Sequence, residues 1–257
     1  MNWHAPRLQQ LFGGPPGGAF PVYRIAYYEP GPRELRIWES YGMVDIEESL
    51  RKGTTTVGLV CGDGVVFAAD SRATAGSLIA SKRAQKIFEI EPHVGLSTAG
   101  AVGDIQALVL LLRAEARLFR MRTKGPISVK GLATLTANIV HGQRYFPYLV
   151  QLLMGGVDSS GPSLFAVDLW GGLSEEKVAS SGSGSPVALG VLEHGYDLGL
   201  SLEKGLELAL ASVRVAVERD AATGNVIEAA VVDGSGFRMV DRARVEGILR
   251  KVPVSPY

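Results

Sequence analysis

Two β-branched, apolar runs, TTVGLVCG and VVFAAD, flank Asp63-Gly64 near the front of this chain. An aspartate–glycine pair between such runs is a strong hairpin signal, because both residues tolerate the positive backbone angles of a tight turn. The hairpin begins directly after Gly53-Thr54-Thr55-Thr56, and it commits the front of the body to antiparallel sheet. Short strands follow at LIAS, KIFEIE and VGLSTA. Two helices come next. Ile105, Leu108, Leu112, Ala116 and Phe119 recur at helical spacing in the first, and Gly103-Asp104 opens it. Ser128 is a candidate N-cap for the second, whose apolar positions are Val129, Leu132, Ala133, Ile139 and Val140. LVQLLMGGVD, SLFAVDLW and EKVASS return to strand character, separated by Gly-Gly and Asp-Ser-Ser-Gly turns. A helix from about Ser201 to Asp220, a second hairpin (VIEAAVVD and FRMVD, joined through Gly234-Ser235-Gly236) and a helix over ARVEGILRKV complete the chain. Strands and helices arrive in blocks, not in βαβ alternation, which disfavours a doubly wound parallel sheet. The expected fold is α+β: two largely antiparallel sheets, stacked, with helices covering both outer faces.

The rest of the composition narrows the function classes. The 257 residues carry 26 basic and 26 acidic side chains, so no excess charge points to nucleic acid or an anionic membrane. The one cysteine, Cys61, excludes an intrachain disulfide, and the four histidines (His4, His93, His141, His194) lack metal-ligand spacing, so no metal or cofactor is expected. The first residues, MNWHAPRLQQLFGGPPGG, have no apolar core of the secretory kind, and runs such as ALVLLL are too short to span a bilayer. These features lead to an expected cytoplasmic location. Residues 1–53 stand apart: they hold 6 of the 13 prolines and 8 of the 19 aromatic residues. That is too aromatic for a free disordered tail, and the segment reads as an appended arm that docks on something.

From Gly53 to about Arg250 the chain resembles proteasome β subunits, the N-terminal threonine hydrolases. The stretches that carry the resemblance are GTTTVGLVCGDGVVFAADSRAT, SKRAQKIFEI, GLSTAGAVGDIQALV, YFPYLVQLLMGGVD, SSGSGSPVALGVLE and VERDAATGNVIEAAVV. YFPYLVQLLMGG is similar to archaeal members, whereas the arm is longer than that group leads one to expect and more like a bacterial prosegment. The resemblance implies a four-layer αββα sandwich. It also implies cleavage between Gly53 and Thr54, so that 1–53 is a propeptide removed by self-cleavage and 54–257 is the catalytic domain.

The residue chemistry is consistent with that implication. A threonine Oγ is a weak nucleophile, but a freed α-amine on the same residue is a base with a pKa of about 7.7–8.0, suited to neutral pH without a histidine. Gly53 has no Cβ, which leaves its carbonyl open to Thr54 and suits an N-to-O acyl shift. Asp70 and Lys86 match the family's remaining catalytic positions: the ammonium lowers the pKa of the amine and hydroxyl, and the carboxylate orients the lysine. Ser183, in SGSGS, and Asp220, in VERD, match residues that orient the terminal threonine. SGSGS cannot be a phosphate loop, since no lysine follows and GxGxxG spacing is absent. Thr223 stands where the family often has serine and keeps the hydroxyl. Gly100 matches the backbone N–H that stabilises the tetrahedral oxyanion. Ala73, Ala84, Thr98 and Val102 match the walls of the pocket for the residue before the scissile bond, and their small apolar character favours a hydrophobic side chain there.

The partners implied are other β subunits in a heptameric ring, proteasome α-subunit rings, an ATP-dependent unfoldase acting through them, and unfolded protein substrates. Nucleic acid and membrane are not among them. Two other readings stay open on sequence grounds. One is a β subunit that builds the ring without catalysis; the other is an N-terminal-nucleophile amidohydrolase acting on small amides, which the same fold can support.

Overall fold

The structure is a computed structural model that describes residues 53–75, 78–144 and 146–252. All of the 1–53 arm except Gly53, and with it the expectation that the arm docks, lies outside the described residues. Those that are described fall within one unit, Val44–Tyr257.

The first hairpin is β1 (Thr56–Val60) and β2 (Gly64–Asp70), closed at Cys61-Gly62-Asp63 by a bond from the Cys61 N–H to Gly64 O. Its register places Thr56 opposite Ala69 and Val60 opposite Val65. β2 then pairs with β11 (Ile227–Asp233), which forms the second hairpin with β12 (Gly236–Met239), and β1 pairs on its other side with β10 (Val178–Ser181). The result is a five-stranded antiparallel sheet ordered β10-β1-β2-β11-β12. A second five-stranded antiparallel sheet runs in chain order through β5 (Ile87–Glu91), β6 (Val94–Gly100), β7 (Val150–Asp158), β8 (Gly161–Val167) and β9 (Leu173–Glu176). A small hairpin, β3 (Ala73–Ala75) with β4 (Leu78–Ser81), stands apart from both.

Three apolar clusters hold these elements, and strand alternation explains how they divide the side chains. On β2, Val66 and Ala68 pack with Val57 and Leu59 of β1 against α3 (Ser185–Gly195), α4 (Leu202–Arg219) and α5 (Arg242–Leu249). The alternate residues Val65, Phe67 and Ala69 pack with Leu153 and Leu164 of the other sheet. Every residue of β2 is therefore buried. The third cluster joins Leu96, Leu152, Met154 and Phe165 to α1 (Val102–Thr123) and α2 (Val129–Gly142). Between the sheets the Phe67 ring fits where glycines face it. A Cβ on Gly95 would lie 2.9 Å from the ring, and one on Gly155 would lie 3.1 Å from it. Strand glycines here mark close approach of the facing backbone.

Ser128 caps α2, accepting a bond from Gly131 N at 3.0 Å. Phe119 departs from its expected place: it is 38% exposed, because the buried stripe of α1 ends at Ala116. Helix α3, strand β3 and strand β9 were not among the expected elements. Cys61 is a core residue, and burial pushes its thiol up to about 12, so it is not a nucleophile at neutral pH. No helix among the described residues is long and apolar enough to cross a membrane.

Candidate active site

Strand register brings the first threonines against the end of β2. One step beyond the Thr56–Ala69 pair, Asp70 N donates to Thr55 O at 3.1 Å, and Thr55 N donates back to Asp70 Oδ1 at 2.8 Å. The same oxygen accepts from Lys86 Nζ at 2.6 Å. Lys86 lies just before β5, so this ion pair ties the end of one sheet to the start of the other. The second oxygen of Asp70 accepts from Arg72 N and Gly224 N, both at 3.0 Å. Four donors thus converge on one carboxylate whose side chain is inaccessible to solvent, which is the environment a buried charge requires. Burial pushes the Lys86 ammonium below the ordinary lysine value; the charge and hydrogen bond of Asp70 act against that, and Arg72 adds to it.

Thr54 is buried, and its Oγ1 donates to the carbonyl oxygen of Gly53 at 2.6 Å. Gly53 itself is clamped, with its N–H on Thr74 Oγ1 at 2.9 Å; a Cβ there would lie 2.1 Å from the Ala222 carbonyl oxygen. The hydroxyl and the peptide it would attack are therefore in contact, and no residue with a side chain fits at position 53 as the backbone stands.

On the other side of Thr54 lies the Gly-rich turn after β10. Thr56 pairs with Ser181, which sets Ser183 beside Thr54. Thr54 N donates to Ser183 Oγ at 3.4 Å, and Ser183 Oγ donates to Asp220 Oδ2 at 2.6 Å. Asp220 ends α4, and its Oδ2 also accepts a short bond from the Thr223 hydroxyl. The two glycines of SGSGS have separate uses. Gly182 has φ +89°, and a Cβ on it would lie 2.1 Å from Thr54 O; Gly184 N donates to that same oxygen at 3.4 Å. The segment is a fitted cradle for Thr54.

Gly100 ends β6 with φ +131°, and a Cβ there would lie 2.0 Å from Leu149 O. Thr98 N donates to Lys86 O at 2.9 Å, so by strand alternation the Gly100 N–H points to the same side, past the start of β5. Of the four expected pocket residues, Thr98 is fully buried with its hydroxyl on Lys86 O at 3.3 Å. Ala84 N donates to Ser71 O at 2.8 Å, and Ala73 begins β3, two residues past Ser71. Val102 opens α1 and is 50% exposed. Three of the four are thus tied in sequence or by backbone bonds to the Asp70–Lys86 pair, while Val102 sits at the helix start. Two surface clefts, one beside α5 and one along α1, contain none of these residues.

The structure adds residues that the sequence reading did not assign. Arg72 donates from Nη1 to Ala221 O at 2.7 Å and from Nε to Asn225 Oδ1 at 3.2 Å, pinning the loop that carries Thr223 and Gly224. Its place two residues after Asp70 was the available signal. Thr55 is fully buried with its hydroxyl 2.7 Å from that of Thr223.

Comparison with known proteins identifies the family. The family model for proteasome subunits matches residues 50–232. Among relatives, the proteasome subunit beta of Methanothrix thermoacetophila is 50% identical over 202 residues, covering 78% of this chain and 98% of that protein. That of Methanohalophilus mahii is 48% identical over 202 residues, covering 78% and 96%. The proteasome subunit beta 1 of Thermococcus onnurineus is 47% identical over 199 residues, covering 77% and 98%. With most of its length matched in this way, the chain belongs to the proteasome subunit family, as a β subunit of the archaeal type.

Proposed function

We propose that this chain is a proteolytic β subunit of a 20S proteasome core particle, made with a propeptide over residues 1–53 and activated by its own Thr54. The observation that carries the reading is the contact between Thr54 Oγ1 and the Gly53 carbonyl, 2.6 Å, beside a buried lysine–carboxylate pair bonded to the next residue's N–H. In self-cleavage, Thr54 Oγ1 bonds to the Gly53 carbonyl carbon through a five-membered ring and loses its proton. The C–N bond then breaks, the nitrogen of Thr54 takes up a proton, and an ester joins Gly53 to Thr54. Breaking the C–N bond frees the α-amine; water then hydrolyses the ester, leaving a carboxylate on Gly53 and restoring the Thr54 hydroxyl.

In the mature subunit the amine accepts the Oγ1 proton as Oγ1 attacks a substrate carbonyl, and it returns a proton to the departing amine. Hydrolysis of the resulting acyl ester restores the site. Ser183 and Asp220 hold the nitrogen. Lys86, with its lowered pKa, exchanges a proton more readily than an ordinary lysine and supplies positive potential beside the amine. Gly100 N–H serves the oxyanion. Ala73, Ala84, Thr98 and Val102 line the pocket and favour a hydrophobic residue before the scissile bond, with modest discrimination of about 1–3 kcal/mol per methylene.

The three apolar clusters support a four-layer αββα sandwich. The full reading places the subunit in a heptameric β ring between α rings, in the cytoplasm, fed with unfolded protein by an ATP-dependent unfoldase. The test is hydrolysis of a hydrophobic chromogenic peptide by the particle assembled with its α subunits. The wild-type chain should turn it over and Thr54→Ala should not. An inactive wild-type particle of correct size would favour a ring-building subunit without catalysis.

A further inference from the structure

We infer that Thr55, the residue after the nucleophile, is a positioning residue that acts through Thr223 and Asp220 on the Thr54 nitrogen. The inference rests on the proposed threonine-protease reading and deepens it. It follows from a count of protons along one buried chain of hydroxyls. Asp220 Oδ2 is an acceptor, so the bonds it makes to Ser183 and Thr223 use the proton of each hydroxyl. With its only proton committed, Thr223 Oγ1 can only accept from Thr55 Oγ1, 2.7 Å away. Thr55 is therefore the donor that fixes the Thr223 rotor and aims its proton at Asp220. Ser183 has two acceptors in reach of its one proton, Asp220 Oδ2 at 2.6 Å and Thr54 O at 3.3 Å; the shorter bond to the carboxylate takes it, which leaves its lone pairs for Thr54 N at 3.4 Å. The chain runs Thr55, Thr223, Asp220, Ser183, Thr54 nitrogen, and every link has one direction.

Its first links are sealed from water: Thr55 is fully buried and Thr223 is 1% exposed. A Cβ on Gly184 would lie 2.1 Å from Thr55 Oγ1 and 3.0 Å from Thr223 Oγ1. Gly184 thus leaves room for the two hydroxyls to meet, and no side chain there competes for them. Thr55 is anchored at its backbone as well, through its N–H to Asp70 Oδ1 at 2.8 Å. One residue therefore touches both polar clusters that flank the nucleophile.

The neighbouring Thr56 provides a matched comparison. It is equally buried, and its hydroxyl also makes one bond of 2.7 Å to another hydroxyl, that of Ser181, but without a link to Asp220. Three full-length variants, Thr55→Val, Thr55→Ser and Thr56→Val, would be assembled with α subunits, and peptide hydrolysis measured per matured site. Thr55→Val should lower kcat about tenfold, the worth of one buried hydrogen bond, with KM within about twofold. Thr55→Ser should restore kcat to within about threefold, and Thr56→Val should leave it within about twofold of wild type. Wild-type kcat in Thr55→Val, or an equal loss in Thr56→Val, overturns the inference while leaving the threonine-protease reading intact. If Thr55→Val does not assemble, Thr55→Ala carries the same expectation. Failure of both to assemble also overturns the inference, because the hydroxyl would then serve folding. An inactive wild-type particle refutes the underlying reading instead.

Discussion

Replacing Asp70 by asparagine keeps shape and volume but changes what the buried site can accept. The carboxylate takes Lys86 Nζ and Thr55 N on one oxygen and Arg72 N and Gly224 N on the other. Asparagine has one acceptor oxygen. Whichever way its amide turns, the NH₂ group faces two donors, and two bonds are lost. Hydrogen bonds to a charged partner are each worth about 1.5–3 kcal/mol. Breaking a buried ion pair from one side costs about 3–5 kcal/mol, and the two figures overlap rather than add. A loss of about 4 kcal/mol corresponds to a melting temperature about 12 °C lower for a domain of this size. The loss should also depend on pH. Without the carboxylate, desolvation of Lys86 is opposed only by the smaller effect of the Asp220 charge, so its folded-state pKa drops further below the ordinary 10.5. Between those two values the unfolded chain binds more protons than the folded one, so stability rises with pH and the deficit of the variant shrinks. Removing the ammonium too, in Asp70→Asn with Lys86→Met, should cost less than the sum of the single changes. The assay is thermal unfolding of the full-length chain at one fixed concentration, from pH 6 to 9. A variant melting within about 2 °C of wild type, or strictly additive single and double changes, would refute the reasoning.

Lys86→Arg keeps the charge but should abolish peptide hydrolysis in a particle of normal size, since a guanidinium is planar, bulkier and does not exchange its proton; retained turnover would limit Lys86 to its charge. Gly53→Ala should slow maturation strongly, because its Cβ would lie 2.1 Å from the Ala222 carbonyl oxygen; the rate of propeptide loss on a gel reads this directly. The hydrolysis rate should fall as pH drops through the pKa of the terminal amine, set below about 7.7–8.0 by the Lys86 charge. A flat profile from pH 5 to 9 with intact particles would count against the amine as base.

The elements with strong local signals were legible in the sequence. Asp63-Gly64 announces the hairpin whose register later aligns Thr55 with Asp70, and Ser128 announces α2 by its cap. Helix α3 gave no such signal. Its N-cap is Gly184 with no side-chain bond, it follows a glycine-rich turn, and it buries only Ala188 and Leu192 fully. Strand β9 is largely exposed, so it shows no apolar face at period two, and β3 is only three residues long. Within the site, Thr54, Asp70, Lys86, Ser183 and Asp220 were named from motifs; the Asp70–Lys86 contact spans 16 residues, but bringing Ser183 to Thr54 takes pairing across 129. Separations of 149 to 168 residues hid Thr55 and Arg72, whose partners Thr223, Ala221 and Asn225 sit at the far end of the chain. Threonine in a strand has an ordinary explanation in β propensity, so nothing local distinguished Thr55 from Thr56.

The most direct measurement of the central claim is the intact mass of the full-length chain and of Thr54→Ala, each after assembly with α subunits. The account predicts that the wild-type chain loses residues 1–53 and begins at Thr54, and that the alanine variant keeps its full mass in a particle of the same size. A wild-type chain that stays whole in the assembled particle, or an alanine variant cut at the same bond, would contradict it.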